Sequence, residues 1–194
     1  YVNRAGDPPR LLPGTAALGE LTFLIPEDLD LETAEFVVGS AAESQARVPL
    51  DGSGPATRLE PTELVVAAET ATELIDLAVT GGSLSHDVPD LHQQLKAGQR
   101  ALTLQFHVTS RAASDGEIAA ENLTLLMPDG STVAPAVADL GTVSGEPEGI
   151  MTSDLSVTFV VDEAAAGDFV LRLELDEAFV AEEGDTAAML EFSL

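Results

Sequence analysis

Short apolar segments recur about every 10–15 residues along this chain, parted by Gly, Pro, Asp and Ser. That spacing belongs to antiparallel sandwiches and barrels, in which each strand crosses the core once and then turns. The clearest segment is ALTLQFHVTS, residues 101–110. There Leu102, Leu104, Phe106 and Val108 alternate with Thr103, Gln105, His107 and Thr109. Successive side chains of an extended chain point to opposite faces, so one face is apolar and His107 is expected on the solvated one. The same reading places strands over 20–25, 34–38, 46–50, 73–80, 100–110, 121–127, 155–161, 169–175 and 187–194.

Turn chemistry supports the pattern. Asp129-Gly130 falls between two apolar stretches, where a pair tolerating positive φ closes a tight hairpin. Gly81-Gly82 reads as a strand-ending turn. In DLSVTFVVDEAAAGDFVLRLEL, residues Leu155, Val157, Phe159 and Val161 share one face, and Phe169, Leu171, Leu173 and Leu175 another. These two strands are expected to pair antiparallel across their polar turn.

An internal repeat organises the chain. Residues 19–50 and 153–194 share one order: apolar strand, acidic turn, apolar strand, acidic loop, terminal strand. In the second copy this module follows a first half carrying AGQRALTLQFHVTSR and the Asp-Gly hairpin, whereas the first copy shows only the back half. The expected organisation is a partial β-sandwich module over 1–50, a Gly-, Pro- and Thr-rich linker over 51–70 with LEPTELVV as a short strand, and a complete unit over 71–194. An isolated three-stranded piece exposes edges and an apolar face, so the partial module is expected to pack on the complete one or be completed in trans.

Composition then narrows function. Hydrophobic residues make up 45% of the chain but aromatics only 4%, with no Trp, so the core is aliphatic with seven Phe. The formal net charge is -26, from 34 acidic and 8 basic residues. Polyphosphates are bound by clustered Lys and Arg, and Lys96 with seven scattered Arg forms no such patch, so nucleic acid and anionic membrane surfaces are disfavoured as partners. Such acidity suits a hydrated surface in saline surroundings, or loops that hold Ca²⁺. There is no cysteine, hence no disulfide or thiolate site. No apolar run approaches the roughly 18 residues of a membrane helix, and no signal peptide is evident at the start. The chain begins at Tyr1 and is read as a mature or trimmed product, with any export signal or anchor outside it.

AGQRALTLQFHVTSR, NLTLLMPDGSTVAP, LSVTFVV and DFVLRLEL together resemble the telokin-like, immunoglobulin-fold extracellular domains found in actinobacterial secreted proteins and lipoproteins. The segment YVNRAGDPPRLLPGTAALGELTFLIPED is similar to the late-strand region of that family. The resemblance implies a β-sandwich, export and a binding or structural role, and it carries over no catalytic residue.

Candidate sites are few. No GxSxG elbow occurs, and Ser83 or Ser85 beside His86 lacks a pattern that places a base and its orienting acid. His86, Asp87, Asp90 and His92 form one loop with imidazole and carboxylate ligands, but Pro89 leaves their spacing without regular geometry, and a polar connection is the plainer reading. Calcium is the better-founded cofactor. Asp28, Asp30 and Glu32 alternate in an extended segment, and Glu182, Glu183 and Asp185 crowd a second loop, although neither has the DxDxDG order and solvated acidic turns are the alternative. Asn122-Leu123-Thr124 is a formal glycosylation sequon.

The expected fold is therefore all-β, an immunoglobulin-like antiparallel sandwich with one complete unit and a partial N-terminal one. The expected function is a non-enzymatic, secreted or cell-surface module for binding, adhesion or scaffolding, with a protein or cell-surface partner. The alternative is a structural subunit of a surface layer or filament, a homo-oligomer assembled by strand addition.

Overall fold

The computed structural model describes residues 22–57, 59–88, 91, 93–111, 116–143, 149–175 and 187–194. Their strands are, in chain order, β1 (Glu35–Val38), β2 (Ala46–Pro49), β3 (Thr62–Leu64), β4 (Ala68–Ala71), β5 (Ile75–Ser85), β6 (Asp87–Val88), β7 (Gln93–Gln94), β8 (Gln99–Ser110), β9 (Gly116–Glu117), β10 (Leu123–Leu126), β11 (Thr132–Val133), β12 (Val137–Asp139), β13 (Thr142–Val143), β14 (Ile150–Asp162), β15 (Asp168–Glu174) and β16 (Ala187–Ser193). A 3₁₀ turn, Ala120–Asn122, leads into β10. The chain divides into two compact units. Of the described residues, 22–36 and 47–56 belong to the first, and 37–46 with the rest to the second.

The second unit is an all-β, antiparallel sandwich. One sheet has the order β12-β14-β8-β5-β3, with β4 also on β5, and the other the order β11-β10-β15-β16. The alternation read from the sequence is the reason these layers close. Leu102, Leu104, Phe106 and Val108 of β8, Val157 and Phe159 of β14, and Phe169, Leu171 and Leu173 of β15 are all fully buried between the sheets. Each large apolar side chain removed from water in this way contributes about 1.5–3 kcal/mol.

Consecutive strands β14 and β15 do not pair with one another, contrary to the sequence expectation. β14 pairs with β8 and β12, whereas β15 pairs with β10 and β16. The polar turn after β14 thus carries the chain from one sheet to the other, and the two apolar faces meet in one core. Glu163 anchors this crossing. Its amide donates to the Gly98 carbonyl at 2.8 Å, and its carboxylate takes the Arg100 guanidinium at 2.8 Å, which holds the carboxyl below its ordinary range.

The Asp129-Gly130 turn forms as the sequence indicated. β10 and β11 pair across it, Gly130 has φ +85°, and its amide donates to the Met127 carbonyl at 2.9 Å. The Asp129 carboxylate accepts from the Ser131 hydroxyl and amide, at 2.6 and 2.8 Å, and its pKa is lowered by those bonds. Gly81-Gly82, by contrast, lies inside β5 and ends nothing. A Cβ on Gly82 would stand 2.4 Å from the Thr103 carbonyl oxygen, so here glycine admits a close approach of two backbones. β3 falls within LEPTELVV, read from the sequence as a short strand, and β4 adds a second strand at the end of the expected 51–70 linker; both pair with β5.

β1 and β2 pair with each other, as do their counterparts β15 and β16 in the second copy of the repeat. Phe23 and Phe36 meet edge to face, centroids 5.8 Å apart. The strand expected over 20–25 is reduced, among its described residues, to an isolated bridge at Phe23. Pro26 follows directly and has no N–H for a ladder.

Candidate functional site

The outer face of the six-stranded sheet changes character along its length. At one end Val88 and Leu95 pack on Ala101, with Val137 and Val160 beside them, so the β6–β7 hairpin covers the sheet there. Next come Thr103 and Thr158, cross-strand partners whose hydroxyls meet at 2.9 Å. Beyond them the face opens into a recess of about 250 Å³, lined by Thr80, Gln105, Phe106, His107, Asp154, Leu155 and Ser156.

Two irregularities on either side of β8 produce that recess. On β5 the register runs from Val79↔Phe106 to Gly81↔Gln105, leaving Thr80 without a partner residue. On β14 it runs from Thr152↔Val108 to Leu155↔Phe106, so Ser153 and Asp154 stand opposite His107 alone. Bulges bend a strand and re-aim its side chains, and two flanking one stretch of β8 open the sheet surface at that level. Thr80 keeps contact through its hydroxyl, which donates to the Gln105 carbonyl at 3.3 Å.

Asp154 has φ +61°, the one non-glycine residue with positive φ among those described. Aspartate tolerates this region better than most residues, but glycine would occupy it without strain, so retaining a carboxylate costs about 1 kcal/mol. That carboxylate is exposed and accepts a 3.1 Å bond from the Ser153 hydroxyl. The described ion pairs are Arg47–Glu35, Arg100–Glu163, Arg111–Asp76 and Arg172–Glu174, and none includes Asp154. His107 is half-buried and not freely solvated as expected, and its Nδ1 is buried without a hydrogen-bond partner. Leaving such a group unsatisfied costs about 1–3 kcal/mol. Both signals, a positive φ on Asp and a doubled bulge, are invisible to alternation; the Gly81-Gly82 pair within a strand pattern was the one local sign.

The loops read from sequence behave differently. Asp28, Asp30 and Glu32 are all exposed, and Asp30 caps its own turn, accepting from the Glu32 amide at 3.0 Å and the Thr33 hydroxyl at 3.2 Å. Glu182, Glu183 and Asp185 lie outside the described residues, as do Asp90 and His92. Among the described residues no three His, Cys, Asp or Glu side chains converge on a metal-sized site. Asn122 is buried, and its side-chain oxygen accepts the Ala119 amide at 2.7 Å, so the sequon's asparagine organises the turn into β10.

One serine does meet a histidine. Ser44 Oγ lies 3.2 Å from His86 Nδ1. Ser44 is only 8% exposed, however, its amide donates to Leu95 and its carbonyl accepts from Gln94, so it seats residues 42–44 on the strand leading to β8. Ser85 donates its hydroxyl to the Asp87 carbonyl at 2.7 Å. At the far end of the sheet Arg111 grips Asp76 with two hydrogen bonds, one of 2.8 Å, which lower the Asp76 pKa and raise that of Arg111.

Among the described residues no helix is long and apolar enough to cross a membrane. No protein-family model matches the sequence, and no curated protein matches it. Solved structures of similar fold include a "putative lipoprotein" from Bacillus subtilis, with a TM-score of 0.50 and 10% identity over 64% of this chain and 38% of that one. Two others are a functionally unknown protein from Listeria monocytogenes (TM-score 0.48, 15% identity, 69% of this chain and 87% of that one) and a conserved hypothetical protein from Bacillus anthracis (0.43, 8%, 59% and 92%). The chain spans well under half of the Bacillus subtilis protein, and the likeness extends to the fold alone.

Proposed function

We propose that this chain is a non-enzymatic, secreted or cell-surface module whose sandwich holds a binding surface for a protein or cell-surface partner. The observation that carries the reading is the recess on the outer sheet face, where a rigid scaffold presents Asp154, Gln105 and His107 around strained and unsatisfied groups. Strain of this kind persists where surrounding structure enforces it, and it concentrates at ligand-binding positions. The serine nearest a histidine has its main-chain groups engaged and its side chain buried, which favours binding over acyl transfer. The "putative lipoprotein" among its structural neighbours is in keeping with a surface location.

Two measurements test this. On intact cells of the source organism, antibody and added protease should reach the chain without lysis, and an intracellular pool alone would overturn the location. The purified chain should leave chromogenic esters, phosphate esters and glycosides unchanged, and turnover abolished by Ser44→Ala would replace binding with catalysis.

A second reading, assembly through strand addition, is favoured by the first unit. Phe23, Leu24, Ile25, Leu31 and Leu50 are 45–86% exposed there, an apolar surface that a neighbouring chain's strand would cover. Light scattering separates the two: a stable oligomer at low and high salt supports assembly, and a 20.1 kDa monomer supports the single module.

A further inference from the structure

We propose that the recess between the two bulges of the six-stranded sheet is a binding site for an alkylammonium group. The inference rests on reading the chain as a binding module, and it adds the chemistry of what is bound.

The lining decides the sign and type of ligand. Thr80, Gln105, Asp154 and Ser156 all offer oxygen acceptors, and no lysine or arginine is among the lining residues. The Asp154 carboxylate takes one hydroxyl from its neighbour and no described ion pair. An ammonium has three donors and no acceptor, so it complements such a set, whereas a carboxylate or phosphate would meet like charge. The whole chain reinforces that choice, since a formal charge of -26 repels anions and draws cations to any cleft. With one Lys and seven Arg against 34 acids, the cation has to come largely from outside.

Shape and backbone agree with the charge. A recess of about 250 Å³ accepts an ammonium with a short methylene stem. Asp154 sits at φ +61° at the point where β14 carries two residues against one on β8, so the bulge that opens the recess also presents the carboxylate. His107 stands opposite that bulge with Nδ1 lacking a partner.

The test uses the intact chain labelled with ¹⁵N at low ionic strength, titrated with n-butylammonium. The expected result is saturable shifts of amides in 80–81, 105–107 and 153–156, with a Kd on the order of millimolar for so small a ligand. Asp154→Asn, which keeps the side-chain shape and tolerates positive φ, should weaken binding at least about tenfold. Asp154→Gly, which relieves the backbone, should do the same with an undiminished melting temperature. Tetramethylammonium, which carries the charge without donors, should not shift the recess. Equal shifts from tetramethylammonium, or unchanged binding in both variants, would reduce the effect to general attraction by an acidic surface and overturn the site. Nα-acetyl-lysine amide and spermidine separate the sources: the first binding points to a partner protein's lysine, the second alone to a free polyamine. Absence of amine binding sinks this inference only; the module reading falls separately, to turnover or an intracellular location.

Discussion

The rings of Phe169 and Phe192 face each other across β15 and β16, centroids 5.6 Å apart and 17° from parallel, at positions directly opposite in the strand register. Phe169 is fully buried and Phe192 is 6% exposed, so the pair closes the core under the edge of the four-stranded sheet. Phe169→Ala should therefore destabilise the fold by about 3–5 kcal/mol, with Phe192→Ala toward the lower end of that range. A double-mutant cycle by chemical denaturation should give a coupling of about 0.5–1.5 kcal/mol. Strict additivity would mean that the rings share burial but no specific contact.

Gly82 tests the close approach of β5 to β8. A Cβ placed 2.4 Å from the Thr103 carbonyl forces the two central strands apart, and Gly82→Ala should cost about 1–3 kcal/mol or more. Gly130→Ala is the contrast, because nothing lies near its Cβ and only its φ of +85° is penalised, by about 1 kcal/mol. Thermal melts of the two variants should keep that order.

Asp76 and Arg111 make an acid-sensitive contact. The hydrogen bond from Arg111 lowers the Asp76 pKa in the folded state, so the pair contributes stability that is present above the unfolded value near 3.8 and is lost as pH falls through the folded value. Both side chains are more than a third exposed, and solvent screening keeps the effect small. Subtracting the melting temperature of Arg111→Gln from that of the parent isolates it. The difference should be level from pH 7 to about pH 5 and shrink below about pH 4. A difference that instead grew on acidification would assign the pair no favourable role.

Net charge makes its own prediction. A formal -26 charge repels itself, and salt shortens the range of that repulsion to about 3 Å at 1 M. The melting temperature should rise between low salt and 1 M KCl, by about 2–4 °C for each kcal/mol recovered. An equal rise with Ca²⁺ at millimolar concentration and constant ionic strength would point instead to specific binding at the acidic loops.

Most strands were legible in the amino-acid order because side-chain direction along a strand is a local property with a period of two. Leu102, Leu104, Phe106 and Val108 announce their buried face without reference to anything distant, and Asp129-Gly130 announces its turn. Sheet membership is not local. The run from Leu155 to Leu175 reads equally well as a hairpin or as a crossing between sheets, and only the competition for β8 and β10 as partners put β14 and β15 in different layers. The recess is less local still: Thr80, His107 and Asp154 lie on three strands, and they meet because two bulges fall at one level of β8. Sequence by itself therefore determined the apolar faces and the acidic surface, since both follow from residue type and spacing. Tertiary structure alone decided strand partners and the site, because hydrogen-bond register is settled between segments far apart in the chain.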